Sequence, residues 1–589
     1  MTLSQQPALL GPAIAEYLDL GGGLNTVTDT HALRPNELSE SINCWHAYGR
    51  SLSKRPGSQP FVTATGATGG GGVGAGCVTA RFAGKTYVIA QVNTTQLYAA
   101  AAGDTSWTLI GTMTAGAGPI QAAQMFDPGS AKSTLFIVNG VDHPLAWQGP
   151  TTSVVAASSL AGASLPLNLT GAAIITPSYV TTYQNFLLYS GESTATEAVY
   201  VSDPFKPNSF TVAASLTKIG TDPSYEPYYV GFNDGVSGGN ITGLMALEAG
   251  VVIFKQAAIY SFTLTSFYGD TIFFPQLISA SIGCTSPRSI TRFDGFGAFL
   301  GIDGVYTVSL GAAPDLISGA VATYFDSTLA GYTAVISDRT TAVGVRHGER
   351  YIIWINTGRT SYLNDTGIWF DFRKLSAEGK PTTGEIQGMQ VAGAAPLRGP
   401  TDDGNFVWVD SSIDRVSKFG FGYADPTPGA TDSGYSNPIT TSFVGKSDFM
   451  EEQLGESSFL RPKNIERVWL VLSLFGHLSS GIFSGSLTFN ATWFGGGSYG
   501  VQSQSSVATL PVNIGSNSIW GNTWGSMQWS GATNAAQPYA MLCFPSQKGM
   551  IANNLQFGFT ESSKNGWVVI GYMVEYTPGQ PLRNSFQRL

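Results

Sequence analysis

The side chains best suited to chemistry are few and scattered. Five histidines stand at positions 31, 46, 143, 347 and 477, and no HExxH or HxH spacing brings two imidazoles to one metal. Cys44 and His46 form a C-x-H pair, but two further ligands are lacking nearby, so a turn or core role is expected there rather than zinc. The four cysteines, at 44, 77, 284 and 543, include no CxxC pair; free thiols in a reducing compartment are expected. Gly72-x-Gly74-x-Gly76 lacks the spacing of a dinucleotide fingerprint and has no Lys-Ser/Thr for a phosphate loop. The run 69–76 therefore reads as a Gly-rich spacer that a packed element would not tolerate. Asp402-Asp403-Gly404-Asn405 and Asn233-Asp234-Gly235 cluster oxygens without the spaced ligand set of a calcium loop, and β-turns are expected. The N-x-S/T triplets beginning at Asn93, Asn168, Asn240, Asn364 and Asn490 are expected by chance in a Thr- and Ser-rich chain. Sialidase-type S-x-D-x-G-x-T-W turns do not occur, since Asp104-Thr105-Ser106-Trp107 has the wrong order. A pair of glycosidase carboxylates far apart in sequence stays open. No catalytic group, cofactor site or metal site is read, and the chain is not expected to be an enzyme.

The elements that would have to position any site are strands. Charged residues make up 12% of the 589, about half the globular norm, while 72 are Gly and 43% are hydrophobic. That excludes a disordered chain, and the glycines show no period of three that would make a collagen. A turn-rich all-β protein is expected. The net charge of −9 and the absence of a basic run argue against gripping DNA through its phosphates, although an acidic wall would let DNA slide past without sticking. No basic n-region precedes an apolar stretch at the start and no apolar run reaches 18 residues, so neither secretion nor membrane insertion is expected.

Residues 1–60 read as an N-terminal arm leading into a first blade. They carry the one helical signal, from Pro35-Asn36-Glu37-Leu38 to Cys44-Trp45-His46, and close on Lys54-Arg55-Pro56-Gly57. Lys54 to Gly57 could contact phosphate, but a turn with an anchoring role is favoured. Trp45 and Tyr48 are expected to pack on the protein's own propeller or on a neighbouring surface.

Over 61–420 one design recurs: a β-branched or aromatic strand, a polar or Gly-bearing turn, then a strand ending near Tyr or Trp. Val88, Ile137, Leu187, Ile253, Phe299, Ile353 and Val407 mark seven centres spaced roughly 46 to 66 residues apart. Four strands fill such a repeat, and sheets of that kind bury their faces against their neighbours. A β-propeller of about six to eight blades is expected, with stacked sandwiches as the alternative. Asn139-Gly140 and Asp303-Gly304 suit hairpins that need positive φ. WD and Kelch signatures are missing. Over 421–589, beyond Asp425-Pro426-Thr427-Pro428-Gly429, runs such as Ile465–Leu474, Ser486–Phe494 and Trp567–Tyr576 predict a C-terminal β-sandwich-like domain or strands completing the propeller.

Two segments carry a family resemblance. The first is Gly22-Gly23-Leu24-Asn25-Thr26, Leu33-Arg34-Pro35-Asn36-Glu37, Asn43 and Gly49-Arg50-Ser51-Leu52-Ser53-Lys54-Arg55-Pro56-Gly57. It resembles the opening of tailed-phage structural proteins. The second is Val251–Tyr260, followed by Ile282-Gly283-Cys284-Thr285-Ser286-Pro287-Arg288-Ser289-Ile290 and Phe299-Leu300-Gly301-Ile302-Asp303-Gly304-Val305-Tyr306. It is similar to the mid-propeller core of phage tail-nozzle and packaged-DNA-stabilisation proteins of short-tailed phages. Together they touch about 100 residues directly. The resemblance implies a virion structural protein made in the host cytoplasm and assembled as a homo-oligomeric ring, usually a hexamer. Its neighbours would be the tail adaptor or tube and the tail fibres. As a nozzle or plug, the ring would retain packaged double-stranded DNA and conduct it during ejection without binding it specifically. Low charge fits permanent side contacts in such a ring. The alternatives are a glycan-binding or glycan-cleaving propeller on the tail periphery and a cellular propeller with no viral role.

Overall fold

The computed structural model describes residues 12–46, 50–62, 68–69, 71–168, 173–210, 229–231, 238–267, 270–328, 335–397, 404–426, 437–448, 462–475, 482–495, 498–511, 526–527, 539–545, 551–552, 554–562 and 566–579. Among them lie six four-stranded antiparallel sheets and a ten-stranded sheet that contributes four consecutive strands, together the seven blades of a propeller. The innermost strands are, in blade order, Gly74–Phe82, Gln121–Asp127, Tyr179–Tyr183, Ile241–Ala246, Thr291–Arg292, Asp338–His347 and Val391–Pro396. Each touches the innermost strand of the next blade, and that of blade 7 touches that of blade 1, so the circle closes.

All seven sequence centres fall on the second strand of a blade and all are completely buried. Such a strand has sheet neighbours on both sides and packed layers on both faces, which is why it reads as an uninterrupted apolar run. Tyr98, Trp147, Tyr200, Tyr260, Tyr306 and Trp369 fall on the third strands. In blade 5, Phe299 lies opposite Tyr306 with their rings stacked.

Seven separate hydrophobic clusters each fill one gap between blades. Successive residues of a second strand point to opposite gaps, as the two-residue period demands. Thus Val88 packs toward blade 7 with Val409, and Ile89 packs toward blade 2 with Ile137. Phe136 and Leu187 meet between blades 2 and 3, and Leu188 and Ile253 between blades 3 and 4. Phe254 and Phe299 meet next, with ring centroids 5.0 Å apart. Leu300 with Ile353 and Trp354 with Trp408 complete the circle.

Three readings are corrected here. The predicted helix over 35–46 is instead two strands, Glu37–Ile42 and Cys44–His46. Pro35, Asn36 and Glu37 do form a turn, with the Arg34 amide donating to Glu37 Oε2 at 3.0 Å. Pairing of Glu37–Ile42 with the distant Thr441–Asp448, and of Cys44–His46 with Leu52–Lys54, then overrides any local helical preference. Second, the glycines after Gly72 are no spacer. Gly74 begins the inner strand of blade 1, where a Cβ would fall 2.1 Å from Val409 Cγ1. At Gly76, a Cβ on the facing Gly393 would lie 2.7 Å from the Gly76 Cα. These glycines let the first and last blades approach closely enough to close the ring. Third, Gly140 does adopt positive φ (80°), but Gly304 does not; a Cβ there would lie 2.5 Å from Ser318 Oγ, so close approach is its constraint.

The N-terminal segment is not a free arm. Ser58–Pro60 pairs with Val416–Phe419 and supplies the fourth strand of blade 7, so chain start and chain end of the propeller are joined in one sheet. Glu37–Ile42 pairs with Thr441–Asp448 and, at Ile42, with Glu385 on the outer strand Pro381–Gln387 of blade 6. Ala13–Tyr17 pairs with Gly566–Pro578, and Leu52–Lys54 pairs with both Cys44–His46 and Gly566–Pro578. The C-terminal strands thereby form two sheets, one continuous with blade 6, the other centred on Lys463–Phe475 and Gly566–Pro578. Between them Phe443, Phe557, Phe559, Trp567 and Tyr572 build one core together with Leu38, Cys44 and Leu52 from the N-terminus. The C-terminal unit is a β-sandwich that borrows N-terminal strands.

Candidate functional site

The first motif gathers where blade 6, blade 7 and the sandwich meet. Asn43 stands between two strands that belong to different sheets, and its φ of 55° turns the corner. Its side chain is a hub. Nδ2 donates to the Thr440 carbonyl at 2.7 Å, while Oδ1 accepts from Arg55 Nε at 2.7 Å and from the Gln387 amide at 2.9 Å. Arg55 is completely buried. Its guanidinium also donates to the Pro56 and Gln387 carbonyls, both at 3.1 Å, and to both carboxylate oxygens of Asp425. Asp425 is held further by Ser58 Oγ at 3.2 Å. Gly57 follows Pro56 into a backbone knot: its amide donates to the Gly422 carbonyl at 2.9 Å, and a Cβ would fall 2.2 Å from the Ala424 carbonyl oxygen.

Lys54 is equally enclosed and pairs with Glu561 at 2.8 Å, which also accepts from Trp567 Nε1. Burial pulls the Lys54 ammonium below its ordinary value, against the opposing pull of Glu561. Lys54 and Arg55 are therefore anchors of the seam rather than cations offered to phosphate. Leu52 lies in the sandwich core. Leu24 lies in the core between blades 5 and 6, and Gly22 sits against the Asn36 carbonyl, where a Cβ would be 2.6 Å away. Asn25 Oδ1 caps the next turn by accepting from the Val27 and Thr28 amides. Trp45 packs on His347 and Phe419 and lies under the Arg350 guanidinium, 4.3 Å from the ring centroid, all within the chain. Tyr48, His477, Asp402-Asp403 and Asn233-Asp234-Gly235 lie outside the described residues.

The second motif lies at the junction of blades 4 and 5. At Gly283 a Cβ would lie 2.3 Å from the Lys255 carbonyl oxygen. Cys284 donates its amide to that carbonyl and its thiol to Ser286 O at 3.1 Å. Burial pushes the thiol up to about 12, which disfavours the thiolate. Asp303 accepts from Tyr306 Oη at 2.7 Å and, with Gly304, closes the hairpin between the second and third strands of blade 5. The structure thus brings the sequence-singled residues into two structural knots and into no common cleft.

The propeller axis holds a cavity of about 1440 Å³ lined by the inner strands of all seven blades. Its charged lining is Arg81, Arg288, Arg292, Arg346 and Asp294. Arg288 precedes the inner strand of blade 5. Its guanidinium donates to the carbonyls of Thr341 (2.9 Å), Ala392 and Ala75 (3.5 Å), on the inner strands of blades 6, 7 and 1. To touch blade 1 from blade 5 the side chain must cross the axis, so Arg288 bars the end at which the inner strands begin. Arg81, Arg292 and Arg346 stand at the other ends of their strands, around the opposite mouth. Sequence inspection quoted Arg288 without giving it a role; a cation in a segment this poor in charge was the available signal.

Several buried carboxylates are paired with cations. Asp371 accepts from Arg350 and Arg373, Asp410 pairs with Arg415, and Glu385 accepts from Arg359 and Tyr324. Burial pushes the Asp371 carboxyl up, but the hydrogen bonds of Arg373 and the charge of Arg350 hold it below its ordinary value. Asp371 is thereby held as a fixed charge, unsuited to giving or taking a proton near neutrality. Among the described residues no group of three or more His, Cys, Asp or Glu could hold a metal ion, and no helix is long and apolar enough to cross a membrane.

No protein-family model matches the chain, and no curated protein matches it. Solved structures similar to it are propellers at low identity. One is BBS1N in complex with ARL6DN, 8% identical over 63% of this chain and 97% of that one, with a TM-score of 0.39. Another is the RRP9 WD40 repeats, 9% identical over 62% and 99%, at 0.36. A third is Sqt1 of Saccharomyces cerevisiae, 10% identical over 62% and 98%, at 0.33. The propeller assignment itself rests on the closed circle of seven blades in this chain.

Proposed function

We propose that this chain is a virion structural protein of a short-tailed phage. In this reading it is a ring subunit, forming a nozzle or plug at the distal tail that retains packaged DNA and conducts it during ejection. Six copies enclose the lumen, and the tail adaptor or tube and the fibres are its neighbours. The observation that carries the reading is the place of the first motif. The segment resembling phage tail proteins, from Gly22 to Gly57, is the part of the chain that binds propeller and sandwich into one body through Asn43, Lys54 and Arg55. A stave of a pressure-holding ring needs such rigidity between its parts, and buried ion pairs with several hydrogen bonds supply geometric specificity.

The propeller's own axis is not the conduit in this reading, because Arg288 bars one end of it. DNA would pass through the lumen of the oligomer, past an acidic surface that offers no adhesion. The test is immuno-electron microscopy of purified particles with an antibody to this chain. Label at the axial tail tip is expected; label on the tail periphery, or none on the particle, overturns the proposal.

A further inference from the structure

The axial cavity carries an uncompensated charge. Arg288 is partly buried, and among the described residues it bonds three carbonyls and no carboxylate. Asp338 acts on it only through space, because its Oδ1 is engaged by the amide and hydroxyl of Thr340. A partly buried cation with no carboxylate bonded to it keeps part of its desolvation cost, which carbonyl dipoles offset incompletely. The opposite mouth repeats the sign. Arg81 and Arg292 are exposed and carry no ion pair among the described residues, while Arg346 is shared between Asp294 and Glu349. Four guanidiniums against one carboxylate line one cavity in a protein of net charge −9. Low-dielectric walls focus such a field. Guanidinium forks match phosphate oxygens two at a time. Phe126, on the inner strand of blade 2, leaves 58% of its surface exposed at the same mouth, where Gln124 ties its strand to Arg81 by bonds of 2.7 and 2.8 Å.

We propose that the propeller axis is a blind well for a small polyphosphate anion, which enters past Arg81, Arg292 and Arg346 and extends toward Arg288. The well is too confined for duplex DNA, so the ligand is an inorganic polyphosphate or a nucleoside polyphosphate. In the nucleotide, Phe126 offers its face to the base. This inference is independent of the virion role and stands or falls separately from it.

The test is calorimetric titration of the full chain at low salt with sodium tripolyphosphate and with ATP, using acetate as control. Saturable one-to-one binding of a polyphosphate, with acetate silent, is expected. Arg81→Ala combined with Arg292→Ala, both at exposed positions that leave the fold intact, should weaken binding about tenfold or more. Arg288→Met should abolish it, and an unchanged melting temperature would show that the loss is not unfolding. If ATP binds more tightly and Phe126→Ala removes that advantage, the ligand is a nucleotide; equal binding of the two anions assigns inorganic polyphosphate. Absence of saturable binding by either anion, equal binding of acetate, or a double variant that binds as the parent does would overturn the proposal.

Discussion

Arg55 and Asp425 stand 370 residues apart in sequence and form a bidentate ion pair shielded from solvent, at the point where propeller and sandwich join. Neither charge has water to fall back on. Removing one partner leaves the other buried and unpaired, so Arg55→Met should destabilise the chain by about 3–5 kcal/mol. Adding Asp425→Leu to Arg55→Met should recover part of that loss. Urea denaturation of the two single variants and the double variant measures the coupling; additive losses would show that the pair does not act as a unit.

Acid should loosen the neighbouring region through two buried histidines. Burial holds the imidazoles of His46 and His347 down to about 3. His46 packs edge-on against Trp369, and His347 lies among Trp45, Phe406 and Phe419. The unfolded imidazoles take up protons near pH 6.5 and the folded ones do not, so stability is full above that value. It falls as pH drops from about 6.5 toward 3, by about 1.4 kcal/mol per pH unit for each histidine. Urea midpoints between pH 4.5 and 7 should show this slope, and His46→Gln combined with His347→Gln should flatten it.

Closure of the ring depends on backbone contact between the first and last blades. A Cβ at Gly393 would press on the backbone of Gly76 and Cys77, 2.7 and 2.9 Å away. Gly393→Ala should therefore cost about 1–3 kcal/mol through overpacking. Gly319→Ala, where the added methyl meets nothing within 4 Å, should stay within about 0.5 kcal/mol of the parent. Equal effects at the two positions would contradict the closure described.

The thiols of Cys44, Cys77 and Cys284 are buried and pushed up by that burial, Cys77 and Cys284 to about 12. At pH 8 the native chain should leave all three unmodified by a thiol reagent while the urea-unfolded chain reacts at once. Peptide mapping of labelled sites reads the outcome. Rapid native labelling of Cys284 would show that the junction of blades 4 and 5 is open.

Much of this architecture was legible because second strands are buried on both faces. Val251-Val252-Ile253-Phe254 shows as a run of apolar side chains that composition alone makes conspicuous. Inner strands were harder to see. Val391–Pro396 reads Val-Ala-Gly-Ala-Ala-Pro, small because neighbouring backbones crowd the axis, and such a sequence resembles a loop. The helical reading of 35–46 failed because Glu37–Ile42 is fixed by a partner some 400 residues away, Thr441–Asp448, and Cys44–His46 by the hairpin with Leu52–Lys54. Arg55 could be singled out from its motif, yet its role could not, since the carboxylate that defines it lies beyond the whole propeller. Ser58–Pro60 gave no signal of its own as the strand that completes blade 7. Deleting residues 1–60 should leave Val416–Phe419 with an unpaired edge and remove four strands of the sandwich, so that the remainder shows no cooperative thermal transition.

The most direct measurement is averaged electron microscopy of the purified particle. The account predicts a closed ring of six copies on the tail axis. Each should appear as a propeller with a sandwich fixed to the edge of blade 6, surrounding an open lumen. A single copy, or copies placed only around the tail's periphery, would contradict it.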